Sequence, residues 1–136
     1  MKLSYLLFLL LFTGSNYCVS AQEADKIVGR YWSPKKDGQI EIYRQGNKYY
    51  GKIIAPKSGK DIKNPNPNLR SRDILGMIFL YDFVYDDEEY IDGTIYDPQS
   101  GKTYSSKMWL DGTSLKLRGY IGMSLFGRTE TFERIR

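Results

Sequence analysis

Apolar and polar residues alternate along several short segments of this chain, and this alternation constrains its fold more than any other feature. Residues 89–96 show it clearly, because Ile91, Gly93 and Ile95 would share one face of an extended strand and Tyr90 would lie on the opposite face. A half-buried antiparallel strand has this period of two, whereas an amphipathic helix repeats every 3.6 residues. Helix signals are almost absent after the first 21 residues, so the sequence predicts an all-β protein.

Turn residues divide the chain into eight segments of this kind. Gly46-Asn47 and Asp111-Gly112 are typical of tight hairpin turns between antiparallel strands. The eight predicted strands cover residues 27–33, 39–44, 48–54, 75–85, 89–96, 102–110, 114–120 and 127–136. Because closure removes both exposed sheet edges, such strands favour a small antiparallel up-and-down barrel. A two-sheet sandwich is the competing arrangement.

The first 21 residues have the organisation of an export signal. Lys2 is followed by an apolar run at residues 6–12, and Val19-Ser20-Ala21 has the small-residue pattern of a cleavage site. The run is shorter than the roughly 20 apolar residues that span a bilayer, so we expect no transmembrane segment. We therefore expect a signal peptide at residues 1–21 and one barrel domain at residues 22–136, exported to the periplasm.

The composition excludes several classes of function. The chain has no histidine, and its one cysteine, Cys18, lies within the expected signal peptide. A mature chain of this kind cannot form a Ser-His-Asp centre, a Cys-His centre or the common zinc sites. We therefore expect a non-catalytic protein with no metal and no cofactor. The 20 basic and 16 acidic residues are interspersed, whereas nucleic-acid binders concentrate their basic residues on one face, so we expect no nucleic-acid partner.

Residues 61–72 form a polar loop whose chemistry is more specified than a spacer requires. Its two Asn-Pro steps hold the backbone extended. If residues 69–72 are extended as well, Arg70 and Arg72 lie on the same side of the chain. Two guanidinium groups so placed suit a carboxylate or a phosphate. They equally suit structural pairing with Asp61, Asp73 or Asp97, and the sequence leaves both interpretations open.

Three motifs follow one another along the mature chain. They are Asp61, Asn64-Pro65, Leu69-Arg70-Ser71-Arg72 and Leu75-Gly76; then Tyr96-Asp97-Pro98 with Ser100-Gly101-Lys102-Thr103-Tyr104; then Gly119-Tyr120-Ile121-Gly122 with Phe126-Gly127-Arg128-Thr129. Together they resemble the signature of a bacterial exported family, domain of unknown function 2147. The resemblance implies export to the envelope and a compact, lipocalin-like β-barrel. It transfers no catalytic residue, because the family carries no established activity. Two positions depart from the family pattern: Trp32 follows Gly29 one residue late, and Phe132 replaces a common tryptophan.

These observations lead to one predicted function and one alternative. The prediction is a binding module for a small acidic, lipidic or otherwise amphipathic ligand in the cell envelope. Its candidate ligand-binding residues are Arg70 and Arg72 as anchors, Asp61, Asn64 and Asp97 in support, and Tyr96 and Tyr104 as aromatic contacts. In the alternative, the same polar residues only lock the long loop, and an outer face of tyrosines meets a protein or an envelope glycan.

Overall fold

A closed barrel of eight antiparallel strands forms the body of the protein, and each strand pairs with the next strand in sequence. The computed structural model describes residues 21–55, 59–123 and 127–136; apart from residue 21, the predicted signal peptide lies outside these ranges. The strands are β1 (Gly29–Trp32), β2 (Gln39–Gln45), β3 (Lys48–Ala55), β4 (Ile78–Asp86), β5 (Glu89–Asp97), β6 (Lys102–Asp111), β7 (Ser114–Tyr120) and β8 (Gly127–Arg134). Tyr31 pairs with Arg134 and Trp32 with Glu133, which joins β1 to β8. The predicted barrel is confirmed.

Two strand starts differ from the sequence prediction, and the strand ends differ from it by at most two residues. The first strand begins at Gly29 rather than at residue 27, because Asp25–Ile27 forms a 3₁₀ turn. The fourth begins at Ile78 rather than at residue 75, because the preceding loop continues to Met77. In each place one apolar residue, Ile27 or Met77, is buried outside the sheet. Apolar residues there do not mark the strand start, so the predicted strands began too early.

An irregularity in β5 corrects the predicted face assignment. Asp92 has a φ of 60°, and the pairing of β5 with β6 shifts register between Tyr90 and Gly93. This bulge adds one residue to the strand, so Tyr90 and Gly93 both face the interior and Ile91 does not. Tyr90 is only 2% exposed. Strict alternation along residues 89–96 was therefore the wrong prediction for Tyr90 and Ile91.

The barrel interior is filled mainly by aromatic and branched side chains. A Cβ placed on Gly93 would lie 2.3 Å from the ring of Phe83, so this ring occupies the space that a larger residue would need. The buried hydrophobic residues are Ala24, Ile27, Tyr31, Ile40, Ile42, Tyr49, Met77, Phe79, Leu80, Phe83, Tyr90, Tyr96, Met108, Leu115, Leu117 and Phe132.

The two ends of the barrel differ. At one end, which we call the closed end, the N-terminal 3₁₀ turn Asp25–Ile27 packs against the core with Ile27 fully buried. Tyrosine hydroxyls attach this turn: Tyr31 donates to the Ile27 carbonyl at 2.7 Å, and Tyr49 donates to Asp25 at 2.7 Å. Tyr90 donates to the Ala24 carbonyl. The other end carries the β1–β2, β3–β4, β5–β6 and β7–β8 connections, and we call it the mouth end.

Candidate functional site

The long β3–β4 loop is folded on itself at the mouth end. Lys60 and Asp73 form an isolated antiparallel bridge, and the Asp61 amide donates to the Arg72 carbonyl at 2.9 Å. Pro67–Leu69 forms a 3₁₀ turn that the Asn66 side chain caps by accepting from the backbone N–H two residues later. Residues 69–72 are therefore not extended, since the chain reverses there. The condition under which Arg70 and Arg72 would lie on the same side of the chain is not met.

Asp61 is the centre of this loop and is fully buried. Its carboxylate accepts three side-chain hydrogen bonds: from Tyr96 Oη at 2.5 Å, from Arg72 Nη2 at 2.7 Å and from Asn64 Nδ2 at 2.8 Å. Burial alone would raise the pKa of Asp61, but the bonds from Tyr96, Asn64 and Arg72 lower it below its ordinary value. Asp61 therefore stays ionised, as a paired carboxylate inside the protein.

Tyr96 reaches Asp61 from the barrel wall. Its neighbour Ile95 faces the interior, where it lies beside Gly119, so Tyr96 points to the outer face of β5. The side chain is nevertheless only 8% exposed. Burial, together with the hydrogen bond to the Asp61 carboxylate, raises the pKa of Tyr96 to about 12. The hydroxyl therefore remains a donor, which fixes the loop to the strand.

The two arginines both bind groups of their own loop. The Arg72 guanidinium pairs with Asp61, and its carbon lies 5.9 Å from the centre of the Tyr96 ring. Arg70 is exposed, and its Nε donates to the Asn64 carbonyl at 2.8 Å. Arg72 therefore has the structural pairing with Asp61 that the sequence left open, whereas Arg70 binds a backbone carbonyl.

The second motif forms the turn against which this loop packs. Asp97 accepts from the Gln99 backbone N–H at 2.9 Å and from the Ser100 hydroxyl at 2.8 Å. Gly101 closes the turn with a φ of 72°, and a Cβ there would lie 2.0 Å from the Lys63 carbonyl oxygen. Only glycine allows this close approach of the two backbones.

A cavity of about 740 Å³ opens beside this turn at the mouth end. Its apolar wall includes Phe79, Ile95, Leu117 and Phe132. Three of the predicted site residues, Tyr96, Asp97 and Tyr104, also line it. The other four, Asp61, Asn64, Arg70 and Arg72, are not among its described lining residues. The structure thus divides the predicted site into a cavity wall and a loop clasp, a name we use for Asp61, Asn64, Arg70, Arg72 and Tyr96 together.

Apart from Asp97, sequence reasoning did not name the charged lining residues of this cavity as site residues. Arg128 and Glu130 lie on its lining, with Arg128 Nη2 3.6 Å from the Glu130 carboxylate, and Lys35 and Asp37 line it from the β1–β2 connection. The alternation of β8 was the available signal, because it placed Arg128 and Glu130 on one face with Phe132. Side chains on the face of a buried aromatic residue point toward the barrel interior.

The sequence profile of a bacterial family, described as uncharacterised protein conserved in bacteria (DUF2147), matches residues 29–134. The chain belongs to the DUF2147 family. This DUF2147 protein is also similar in structure to protein HP1028 from the human pathogen Helicobacter pylori, which is described as belonging to the lipocalin family. The TM-score is 0.74 at 26% sequence identity, over 81% of this chain and 83% of HP1028. No curated protein matched the sequence.

Two further features of the structure concern metal binding and membrane spans. Within residues 21–55, 59–123 and 127–136, no three His, Cys, Asp or Glu side chains are grouped so that they could hold a metal ion. None of the helices in this described part of the DUF2147 protein is long and apolar enough to cross a membrane.

Proposed function

We propose that this protein is a non-catalytic binding module of the bacterial envelope that holds a small amphipathic ligand in the mouth cavity. The observation that carries the proposal is the cavity itself, whose volume of about 740 Å³ lies within the range of small-molecule sites. The similarity to HP1028, a member of the lipocalin family, supports a binding role. Export to the periplasm is part of the same proposal and rests on the signal-like first 21 residues.

The polarity of the cavity lining suggests how such a ligand would be oriented. Phe79, Leu117 and Phe132 form an apolar surface for a hydrocarbon or ring portion. Arg128 is largely exposed and offers a planar guanidinium group, which suits a carboxylate or phosphate head group. Glu130 lies beside it and would accept from a donor on the same head group. We therefore place the acidic or zwitterionic head at Arg128, with Tyr104 and Asp97 as neighbouring contacts.

The loop clasp has a supporting role in this proposal. Arg72 and Asn64 donate hydrogen bonds to the buried Asp61, and Arg70 donates one to a loop carbonyl. These side chains therefore already bind groups of the protein itself. Through Tyr96 they hold the β3–β4 loop against β5, whose Tyr96 and Asp97 line the cavity. We therefore assign Arg70 and Arg72 to loop positioning, and Tyr96, Asp97 and Tyr104 to the cavity wall.

A cavity-filling substitution tests the proposal without removing a native contact. A Cβ on Gly119 would lie 3.5 Å from Ile95 Cγ2 and 3.8 Å from Tyr104 Cβ, which is ordinary van der Waals contact. Gly119→Leu should therefore extend into the cavity that Gly119 lines. The matched control is Ser105→Leu, which adds a leucine at an exposed position of β6 that pairs with Thr94 and Tyr120 on the outer face.

The measurement is native mass spectrometry of protein purified gently from its own envelope, followed by titration with the amphipathic probe anilinonaphthalene sulfonate. We expect a bound passenger and saturable probe binding in the wild type and in Ser105→Leu, and at least about tenfold weaker probe binding in Gly119→Leu. An empty wild-type protein that binds no probe, or equal probe affinity in both folded variants, would contradict the proposal.

A second candidate function follows from the outer aromatic residues. Tyr43 and Tyr50 stack on the outer face of β2 and β3 with ring centres 5.8 Å apart, and Lys52 lies 5.4 Å from the Tyr43 ring centre. Half-exposed tyrosine pairs can stack on sugar rings or on a protein partner. Loss of glycan or protein capture in Tyr43→Ser, with unchanged probe binding in the cavity, would support this envelope-interaction function instead.

A further inference from the structure

The mouth end of the barrel combines exposed apolar side chains with an excess of positive charge. Seven large hydrophobic residues of the described chain are exposed, and five of these belong to mouth-end connections. They are Ile62, Leu69, Leu75, Ile121 and Met123, with Ile121 75% and Ile62 67% exposed. Such a concentration at one end of a small protein marks an interaction surface rather than scattered exposure.

Charge is distributed unevenly between the two ends. The mouth-end segments, residues 33–38, 59–77, 97–102, 121–123 and 127–128, carry eight basic and four acidic residues. The closed-end segments, residues 21–28, 44–48, 86–89, 111–114 and 135–136, carry four basic and seven acidic residues. One mouth-end acid, Asp61, is buried and pairs with the mouth-end Arg72, so these two charges cancel and seven basic and three acidic residues remain. The barrel therefore has a positive mouth end and a negative closed end.

We propose that the mouth end docks on an anionic lipid surface through these apolar side chains and the lysines beside them. Ile62 precedes Lys63 and Leu69 precedes Arg70 in the loop, so apolar and basic groups alternate where the chain is exposed. Apolar side chains enter the head-group region, and cations near an anionic leaflet gain further attraction. The acidic closed end would be repelled by the same surface, which fixes the orientation.

This orientation places the cavity at the lipid surface. Ile121 is at once one of the exposed apolar residues and a lining residue of the cavity. A membrane-derived amphiphile could then pass between bilayer and cavity without crossing water. That last consequence rests on the proposed function, whereas the docking itself does not.

Charge reversal at the two ends provides a matched test of docking. The mouth-end variant is Lys63→Glu with Lys102→Glu, two exposed residues outside the described cavity lining. The control is Lys48→Glu with Lys107→Glu, which makes the same change of net charge away from the mouth end. Any general attraction of the whole protein to anionic lipid would fall equally in both variants.

The assay is co-sedimentation with phosphatidylglycerol vesicles at low salt, compared with phosphatidylcholine vesicles. We expect wild type to bind only the anionic vesicles, the mouth-end variant to bind them about tenfold or more weakly, and the control to bind nearly as well as wild type. Ile62→Asp should also weaken binding, whereas Val84→Asp on the wall of β4 should not. No binding of wild type, or equal loss in both charge-reversed variants, would overturn the proposal.

Anilinonaphthalene sulfonate titration of the same charge-reversed variants keeps the two proposals separate. Because neither Lys63 nor Lys102 lines the described cavity, the probe affinity should be unchanged in the mouth-end variant. Vesicle binding without probe binding would contradict the proposed function alone. Probe binding without vesicle binding would contradict docking alone.

Discussion

Replacement of Arg72 by methionine should destabilise the barrel, because Asp61 would keep its buried charge and lose its cationic partner. Removal of one partner of a buried ion pair costs about 3–5 kcal/mol. Two features reduce this cost here. The Arg72 side chain is 34% exposed, and Asp61 retains its hydrogen bonds from Tyr96 and Asn64. We therefore expect Arg72→Met to lower the free energy of unfolding by about 2–3 kcal/mol, which lies at or below the lower limit of that range.

Arg70→Met is the matched control for this prediction. Arg70 is exposed and donates one hydrogen bond to a backbone carbonyl. Arg70→Met should therefore lower the free energy of unfolding by about 1 kcal/mol or less. Urea unfolding, followed by circular dichroism and by the fluorescence of Trp32 and Trp109, gives both free energies by linear extrapolation. Methionine keeps an apolar stem beside the Tyr96 ring, so the measured difference reports mainly the charge.

A double-mutant cycle identifies the pair itself. Asp61→Asn combined with Arg72→Met should cost less than the sum of the two single changes by about 1 kcal/mol or more, because no unpaired charge remains. Additive losses, or a loss below about 0.5 kcal/mol in Arg72→Met, would refute the assignment of Arg72 to the loop clasp. If Arg72 instead anchored a ligand, its replacement would weaken probe binding and leave stability unchanged or improved.

Three further predictions concern the loop clasp, the turn beneath it and the closed end. The pKa of Asp61 in the folded protein lies below its ordinary value of 3.8. The ionised Asp61 therefore stabilises the fold above pH 3.8, and this stabilisation is lost as the pH falls through the folded-state pKa. The stability difference between wild type and Asp61→Asn should therefore shrink in urea titrations below about pH 4, and a constant difference would contradict this. Gly101→Ala should lower the free energy of unfolding clearly more than Gly112→Ala. Both glycines have a left-handed backbone, which costs an alanine about 1–2 kcal/mol. Only at Gly101 would the added Cβ also clash with the Lys63 carbonyl oxygen. Equal melting temperatures of the two variants would refute that contact. Ile27→Ala should lower the free energy of unfolding by about 2–5 kcal/mol, because Ile27 is fully buried at the closed end; a change within about 0.5 kcal/mol would show that the N-terminal turn is dispensable.

Strand number and order could be predicted from the sequence because they depend on local information. In β7, Leu115 and Leu117 alternate with polar residues, and both are buried as the period of two requires. Turn residues such as Gly112 mark each reversal, so eight strands were countable without coordinates. Closure was favoured because it removes two costly edges, but a two-sheet sandwich remained the competing arrangement until the pairing of β1 with β8 was known.

The face of a residue near a bulge was not predictable in the same way. Asp92 adopts a positive φ that shifts every residue on one side of it by one position, which moves Tyr90 into the core. Asp tolerates this conformation but does not require it, so the sequence gives only a weak signal there. The error at Tyr90 and Ile91 has this cause.

The candidate site shows what only the tertiary structure decided. The sequence determined a polar loop containing Asp61, Arg70 and Arg72, because side-chain chemistry and the two prolines are local properties. It could not determine which charges meet, because the ion pair of Arg72 with Asp61 and the bond from Tyr96 join residues 11 and 35 positions apart. Partners so distant become neighbours only when the barrel closes and the loop packs on it. That closure buries the carboxylate and makes the pairing of Asp61 obligatory, since an unpaired buried charge is costly.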